Sequence, residues 1–484
     1  MQSVKDIAFS FATMAVVVIV TIISVPLFLA QIGAERYGAL AIAWLVLGYA
    51  GQADFGMSRA ITQRVAALRG ADGDAGQSAR AIWSALLVAS AIGAVAALVV
   101  FVVVDWFFGG PFKIDPEIAD EFTYVALMLA VSTPLVNIYS VAVGALLGAE
   151  RVQLVATFHL SSSLCLTLFP LAAAYLVAVD LSTLVFAAFL ARLAVTAPAV
   201  AACWRQFLRN QPTRSSRAEI GNLARFGSWV MVTGLVSPLL VISDRFLIGA
   251  ILGAVAVAVY TIPFQVANRT MMIPYAVMQV MFPKLVRGTD TGSHANAREY
   301  MVVLGSVYAV VVIGVISLAE PLLRLWLGAG LDERSILIAQ VIMVGLWANA
   351  VAQVPFGFIQ ARGDPKFTGL LHVAELPIYF AVLVLLGSAF GLAGVAAAFV
   401  VRCAGDLLAL LYRARMLDRW VAARLVPTAL VVLAALAAIR MWDHAFAPYV
   451  IAAAFGAPAT IWAWACLPAA LRQQLLSRLP MRTA

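Results

Sequence analysis

Long apolar runs alternate with short polar connectors along almost the whole chain. A helix needs about 20 apolar residues to cross the hydrocarbon core of a bilayer. Fourteen stretches meet that need, near 8–30, 38–58, 81–104, 122–148, 154–178, 182–204, 226–249, 254–283, 300–319, 336–360, 367–387, 391–412, 424–440 and 446–468. Several contain Pro or Gly, which membrane helices tolerate when neighbours re-satisfy the freed backbone groups. The pattern predicts an all-α integral membrane protein with 14 transmembrane helices.

The basic residues support that count. With the N-terminus in the cytoplasm, the termini and inner connectors hold 23 of the 32 Lys and Arg residues. The outer connectors hold only Arg36, Lys113, Arg324, Arg334 and Arg440. Such asymmetry sets orientation, and a wrong span count would scramble it. The expected orientation puts both termini in the cytoplasm.

Composition agrees. The 484 residues are 63% hydrophobic and 12% charged, against about 25% charged in a soluble domain. The net charge of +8 lies in the connectors and does not indicate nucleic acid. Cys165, Cys203, Cys403 and Cys466 share no metal or redox spacing and read as small hydrophobes. The first apolar run is too long for a secretory h-region. No G-x-x-x-x-G-K-[ST] occurs, and no cofactor is expected.

The chain repeats itself. "ALLGAERVQLVATFHL" (145–160) matches "GFIQARGDPKFTGLLHV" (357–373) in layout, with His159 and His372 213 residues apart. "ERYGALAIAWLVL" and "VAVYTIPFQVA" each place a tyrosine near a span start. The expected domains are an N-terminal lobe of six helices over 1–210, a second six-helix lobe over 211–415, and two appended helices with a tail over 416–484. Parallel repeats are a transporter architecture, with the substrate site between the halves.

Ionisable residues inside spans are costly, about 2.5–3.5 kcal/mol each on insertion scales. Those here are Asp54, Arg192, Asp244, Arg245, Arg269, Glu375, Arg402 and Asp406, with His159 and His372. Arg402 and Asp406 are four apart and can pair on one helix. Arg59 sits at an interface, where snorkelling would hold it. Asp244 and Arg245 are adjacent, so they point about 100° apart on a helix; one is expected to face a cavity. Arginines in a polar cavity suit a phosphate-bearing substrate.

The stretch "DRFLIGAILGAVAVAVYTIPFQVANRTMMIPYAVMQVMFPKL" (244–285) resembles the polysaccharide transporter and flippase family. This is the Wzx-like branch of the multidrug/oligosaccharidyl-lipid/polysaccharide exporter superfamily. The likeness is carried by Asp244, Arg245, Ile248, Gly249, Leu252, Gly253, Tyr260 and Pro283. "IGAERYGALAIAWLVLGYAGQADFGMSRAI" (32–61) resembles the family's first hairpin, with Gly33, Tyr37, Gly38, Asp54, Gly56 and Arg59 matching. The resemblance covers roughly the first 415 residues.

It implies two six-helix lobes around a cavity that opens alternately to each side. It also implies a cargo, undecaprenyl-diphosphate-linked oligosaccharide moved from the inner to the outer leaflet for exopolysaccharide, capsule or O-antigen. Arg245, Arg269, Asp54, Asp244, Arg59 and Arg192 form the candidate cavity set. Asp54, Asp244, Glu375, His159 and His372 are the candidate ion-coupling set, for a proton or sodium ion. No catalytic or metal-cofactor residue is assigned. Expected partners are the lipid-linked oligosaccharide, membrane lipid and other polysaccharide-assembly proteins.

Three other readings compete. A lipid II flippase shares the span count and mechanism. A multidrug exporter of the same superfamily would carry organic cations, for which the arginines are ill suited. A membrane glycosyltransferase or polymerase would need more than "GADGDAG" (70–76), a D-x-D in a short glycine-rich turn.

Overall fold

The computed structural model describes residues 2–52, 56–70, 75–119, 121–211, 215–216, 219–221, 243–287, 290–362, 364–442, 444–468 and 472–473. The helices are α1 (Gln2–Gln52), α2 (Met57–Gly70), α3 (Ala75–Gly109), α4 (Pro116–Ala119), α5 (Phe122–Gly148), α6 (Val152–Leu176) and α7 (Leu181–Cys203). Then follow α8 (residues 243–252), α9 (Ala254–Arg269), α10 (Met272–Arg287), α11 (Asp290–Leu327), α12 (Arg334–Ala361), α13 (Pro365–Arg413), α14 (Arg419–Met441) and α15 (Ala447–Cys466). No strand occurs among the described residues.

Ten of the described helices are long and apolar enough to cross a membrane. Two of them are double. α1 bends at Gly33 (φ 75°) and α13 at Gly391 (φ 59°), backbone that glycine adopts without a Cβ clash. The ten helices therefore account for twelve of the fourteen expected spans. The expected span at 254–283 is broken at Thr270–Met271 into α9 and α10. That at 226–249 falls largely outside the described residues. The protein is a multi-pass, all-α membrane protein.

The chain forms two compact units, Met1–Thr261 and Ile262–Ala484, with the boundary inside α9. In the first, α5 is a hub that packs on α1, α2, α3 and α7. Met57, Ile61 and Val65 of α2 meet Ala81, Ile82 and Ala85 of α3 and Val141 and Ala145 of α5. Thr62 Oγ1 ties α2 to α5 through the Gly144 carbonyl at 2.8 Å. The outer face of α3 exposes Val95, Leu98 and Val99. In water such a stripe would be a liability; against lipid chains it costs nothing. The basic connector after α7 is tied down where Glu219 accepts from Arg64 Nε at 3.1 Å.

In the second unit α12 is innermost, with 83% of its apolar stretch buried. It packs on α10, α11 and α13, while α14 and α15 lie on α11. Two buried side-chain donors inside this unit reach backbone carbonyls, the usual resolution for a buried N–H. Trp347 Nε1 donates to Gly305 O at 2.9 Å and Gln340 Nε2 to Ile316 O at 3.2 Å. All four cysteines are free; Cys203 and Cys403 are buried, Cys165 and Cys466 half-buried.

Candidate functional site

Asp244 and Arg245 lie at the start of the described part of α8 and satisfy one another, against the expectation that neighbours diverge too far. The carboxylate turns back on its own backbone and accepts from Arg245 N at 2.8 Å. The flexible arginine stem then brings Nη1 to the same oxygen at 2.7 Å. Tyr260, one of the motif residues, donates to Asp244 Oδ2 at 2.9 Å, and the guanidinium lies 5.2 Å from the centre of its ring. Asp244 and Arg245 are 1% and 3% exposed, and Tyr260 is fully enclosed. The charge pair is thus buried, with Tyr260 of the same unit as a shared partner.

The motif glycines surround this brace. Gly253 has φ 89°, and an added Cβ would stand 3.0 Å from the Lys113 carbonyl oxygen. Lys113 belongs to the connector between α3 and α4, and its backbone bonds to both Gly249 O and Ala254 N. A Cβ on Gly38 would lie 1.9 Å from the Ala254 carbonyl oxygen. Without a side chain there, α1 passes directly against the α8–α9 turn. Gly38, Gly249 and Gly253, three of the residues that carry the sequence resemblance, are therefore points of close backbone approach within the first unit.

Two other groups of ionisable residues remain half-open. In the first unit, Arg192 of α7 donates from Nη1 to Ser162 Oγ of α6 at 3.2 Å and from Nη2 to the Leu47 carbonyl at 3.4 Å. His159, exposed on α6, meets the Tyr139 ring edge-on at 6.2 Å. The Tyr139 hydroxyl and Arg192 Nε are buried without a hydrogen-bond partner among the described residues.

In the second unit, the two arms of α13 bring His372 and Glu375 to Asp406. One donor atom from each lies within 4.8 Å of the others. Both Glu375 oxygens and Asp406 Oδ1 are buried without a hydrogen-bond partner among the described residues. His372 stacks on Phe356 at 5.8 Å. Arg402 does not form the expected ion pair with Asp406. Its guanidinium lies between the Tyr379 and Phe399 rings, 5.3 Å from each centre.

The two groups share a spacing in the sequence. His159 and Ser162 recur as His372 and Glu375, 213 residues on. Arg192 and Thr196 recur as Arg402 and Asp406, 210 residues on. The second copy carries carboxylates where the first carries hydroxyls. Asp406 was legible in the sequence only as a helical neighbour of Arg402. The signal for its role was the repeat, followed one turn past each histidine and arginine.

The other sequence candidates are scattered. Arg269 ends α9, exposed, with no carboxylate partner among the described residues. Arg59 is exposed on α2. Asp54 lies outside the described residues.

Comparison with known proteins places this arrangement. A family model described as "Polysaccharide biosynthesis protein" matches residues 3–289, more than half the chain. The chain belongs to that family. It is 28% identical over 406 residues to a Shigella flexneri protein described as "Putative O-antigen transporter", covering 81% of this chain and 93% of that one. Its fold is similar to the lipid II flippase MurJ in an inward closed conformation, with a TM-score of 0.73 at 14% identity, covering 97% of this chain and 100% of that chain. It is also similar to an inward-facing multidrug resistance MATE family transporter of the MOP superfamily. There the TM-score is 0.69 at 14% identity, covering 84% of this chain and 94% of that chain.

Proposed function

We propose that this family member is a flippase that carries undecaprenyl-diphosphate-linked oligosaccharide across the bacterial inner membrane by alternating access. The family match and the likeness to the Shigella protein support the cargo class. The one geometric observation that carries the reading is the pair of repeat-related polar groups, one per unit, set into otherwise apolar helices. A chain pays insertion energy for such residues where a polar cargo or ion must be met.

The roles divide by chemistry. Arg192 and Arg269 present forked donors suited to diphosphate or acidic sugar. Arg59 supplements them at the mouth. Asp244 and Arg245 support the wall behind. His372, Glu375 and Asp406 hold the coupling ion, a proton or sodium, because two carboxylates close together in an apolar bundle repel until a cation joins them. Asp54 and His159 complete the coupling set on the first unit.

The halves related by the repeat are 1–210 and 211–415, with 416–484 appended. Both termini face the cytoplasm, on the strength of the arginine asymmetry. The protein does no covalent chemistry on its cargo and works beside other polysaccharide-assembly proteins. The test is flipping of fluorescent lipid-linked oligosaccharide in proteoliposomes. Wild type is expected to flip it, and an R192A/R269A variant to lose at least tenfold in rate. Equal rates, or no flipping by a folded wild type, would overturn the reading.

A further inference from the structure

α12 is the innermost helix of the second unit, yet it is not closed all round. From Ser335 to Gln360 every residue is buried except Leu337, Val341, Asn349, Gln353, Phe356 and Gln360, which are half-buried. At 100° per residue the last four fall within an arc of about 60°. They form one narrow face along the half of α12 that leads into its connector with α13. At Gly345 the same side of the helix is closed, because an added Cβ would stand 2.6 Å from the Phe399 ring. Beyond that point Leu337 and Val341 are aliphatic.

The chemistry of the face is three primary amides and one aromatic ring, with no charged side chain. Gln353 Nε2 donates to Asn349 Oδ1 at 3.2 Å. That leaves the Asn349 amide nitrogen as a donor and the Gln353 oxygen as an acceptor, one turn apart, with no other partner among the described residues. Gln360 Nε2 reaches Thr368 Oγ1 of α13 at 3.5 Å, and its oxygen remains for a second donor. Phe356 lies among these amides and stacks on His372 at 5.8 Å, with the two rings 10° apart.

Such a face is ill suited to lipid, because an amide without a partner is costly in hydrocarbon. Along their spans α11 and α13 instead expose aliphatic side chains, such as Leu322, Ile378 and Leu385. The face is equally ill suited to an ion, since no member of it carries charge. Sugars fit it. Each sugar hydroxyl is both donor and acceptor, which matches the donor and acceptor that the Asn349–Gln353 pair leaves open. The C–H face of a sugar ring is apolar and packs on an aromatic ring.

We infer that this face of α12 reads the oligosaccharide of the cargo, with Asn349 and Gln353 bonding sugar hydroxyls and Phe356 supporting an apolar sugar face. The inference rests on the proposed cargo class and names the part of that cargo that α12 contacts. Recognition then divides by chemistry: arginines take the diphosphate, and neutral amides take the glycan. Because Phe356 also stacks on His372, sugar held on this face sits beside the residues assigned to the coupling ion.

The test measures binding, apart from flipping. Full-length purified protein in neutral detergent is titrated with two probes, undecaprenyl diphosphate and undecaprenyl diphosphate bearing a neutral trisaccharide, and followed by microscale thermophoresis. Wild type is expected to bind the sugar-bearing probe at least tenfold more tightly. N349A/Q353A should bring that ratio to within twofold of unity, while the amide-keeping N349Q/Q353N restores part of it. A ratio that survives in a folded N349A/Q353A protein, or a wild type that binds both probes equally, would overturn the inference. If the double variant does not elute as a single species, Q353A alone carries the test, and its ratio should fall at least threefold. Proteoliposomes of the same preparation separate this from the transport reading. Sugar-dependent binding by a wild type that flips neither probe would sink the flippase and leave the glycan face standing.

Discussion

Tyr260 donates its phenolic hydrogen to Asp244 across 2.9 Å, closing a brace whose other arm is Arg245. Burying two charges in an apolar bundle is expensive, and mutual attraction repays the expense only when the remaining lone pairs are met. Here the aspartate has a partner on each oxygen. The family motif of an acidic–basic pair followed by a tyrosine is thereby explained as one buried unit of structure.

Removing the tyrosine hydroxyl should therefore weaken the fold more than the chemistry. Tyr260→Phe leaves a buried carboxylate oxygen short of a donor, a loss of about 1–3 kcal/mol. Thermal unfolding in detergent should show a lowered Tm, with flipping per folded molecule close to wild type. A large fall in specific flipping at unchanged Tm would place the trio in the cargo path.

The charge pair should behave as one object. Asp244→Ala or Arg245→Ala alone strands a buried charge, and each should cost about 3–5 kcal/mol. The double variant D244A/R245A should cost less than either single. Additive losses in a double-mutant cycle would contradict the brace.

Gly38 should not tolerate even a methyl group. An added Cβ would fall 1.9 Å from the Ala254 carbonyl oxygen, a backbone atom that cannot swing aside. Gly38→Ala should lower the yield of monodisperse protein severalfold by fluorescence size exclusion. Gly48→Ala, which meets nothing within 4 Å, should express as wild type.

Helix existence was readable from hydropathy because lipid imposes a length and an apolar composition on every span. The bends at Gly33 and Gly391 fall where hydropathy already separates two spans, 8–30 from 38–58 and 367–387 from 391–412. The break at Thr270–Met271 was hidden, because the apolar run 254–283 continues through it. Pairing across the fold was hidden for a different reason. Asp244 and Arg245 look incompatible on an ideal helix, and only the position of Tyr260 and the bent aspartate resolves them. Arg402 looked like the partner of Asp406 by spacing, yet two aromatic faces took the guanidinium and left the carboxylate to Glu375 and His372. Cation–π contact can compete with an ion pair when both rings are fixed by packing.

That arrangement makes Arg402 a support for the cluster. Arg402→Leu removes a positive charge beside Glu375 and Asp406 and empties the space between Tyr379 and Phe399. The expected result is a lowered Tm in the gradient-free protein, partly restored by R402L/D406N, which removes one of the facing carboxylates. No restoration would mean that Arg402 acts through packing alone.

The difference between the two repeat copies predicts where coupling resides. Ser162 and Thr196 stand in the first unit where Glu375 and Asp406 stand in the second. Hydroxyls can hydrogen-bond a cargo but cannot carry the negative charge that holds a proton or sodium ion. Glu375→Gln and Asp406→Asn should therefore remove the dependence of flipping on an imposed pH or sodium gradient. The residual rate should lie about tenfold below the driven wild-type rate. S162A and T196V should leave the gradient dependence intact, since the groups they alter bear no charge. Proteoliposomes with buffered interiors and stepwise external pH, or external sodium at fixed pH, distinguish the two ions directly. Full gradient dependence in a folded E375Q/D406N protein would move coupling away from α13, with Asp54 the next carboxylate to vary.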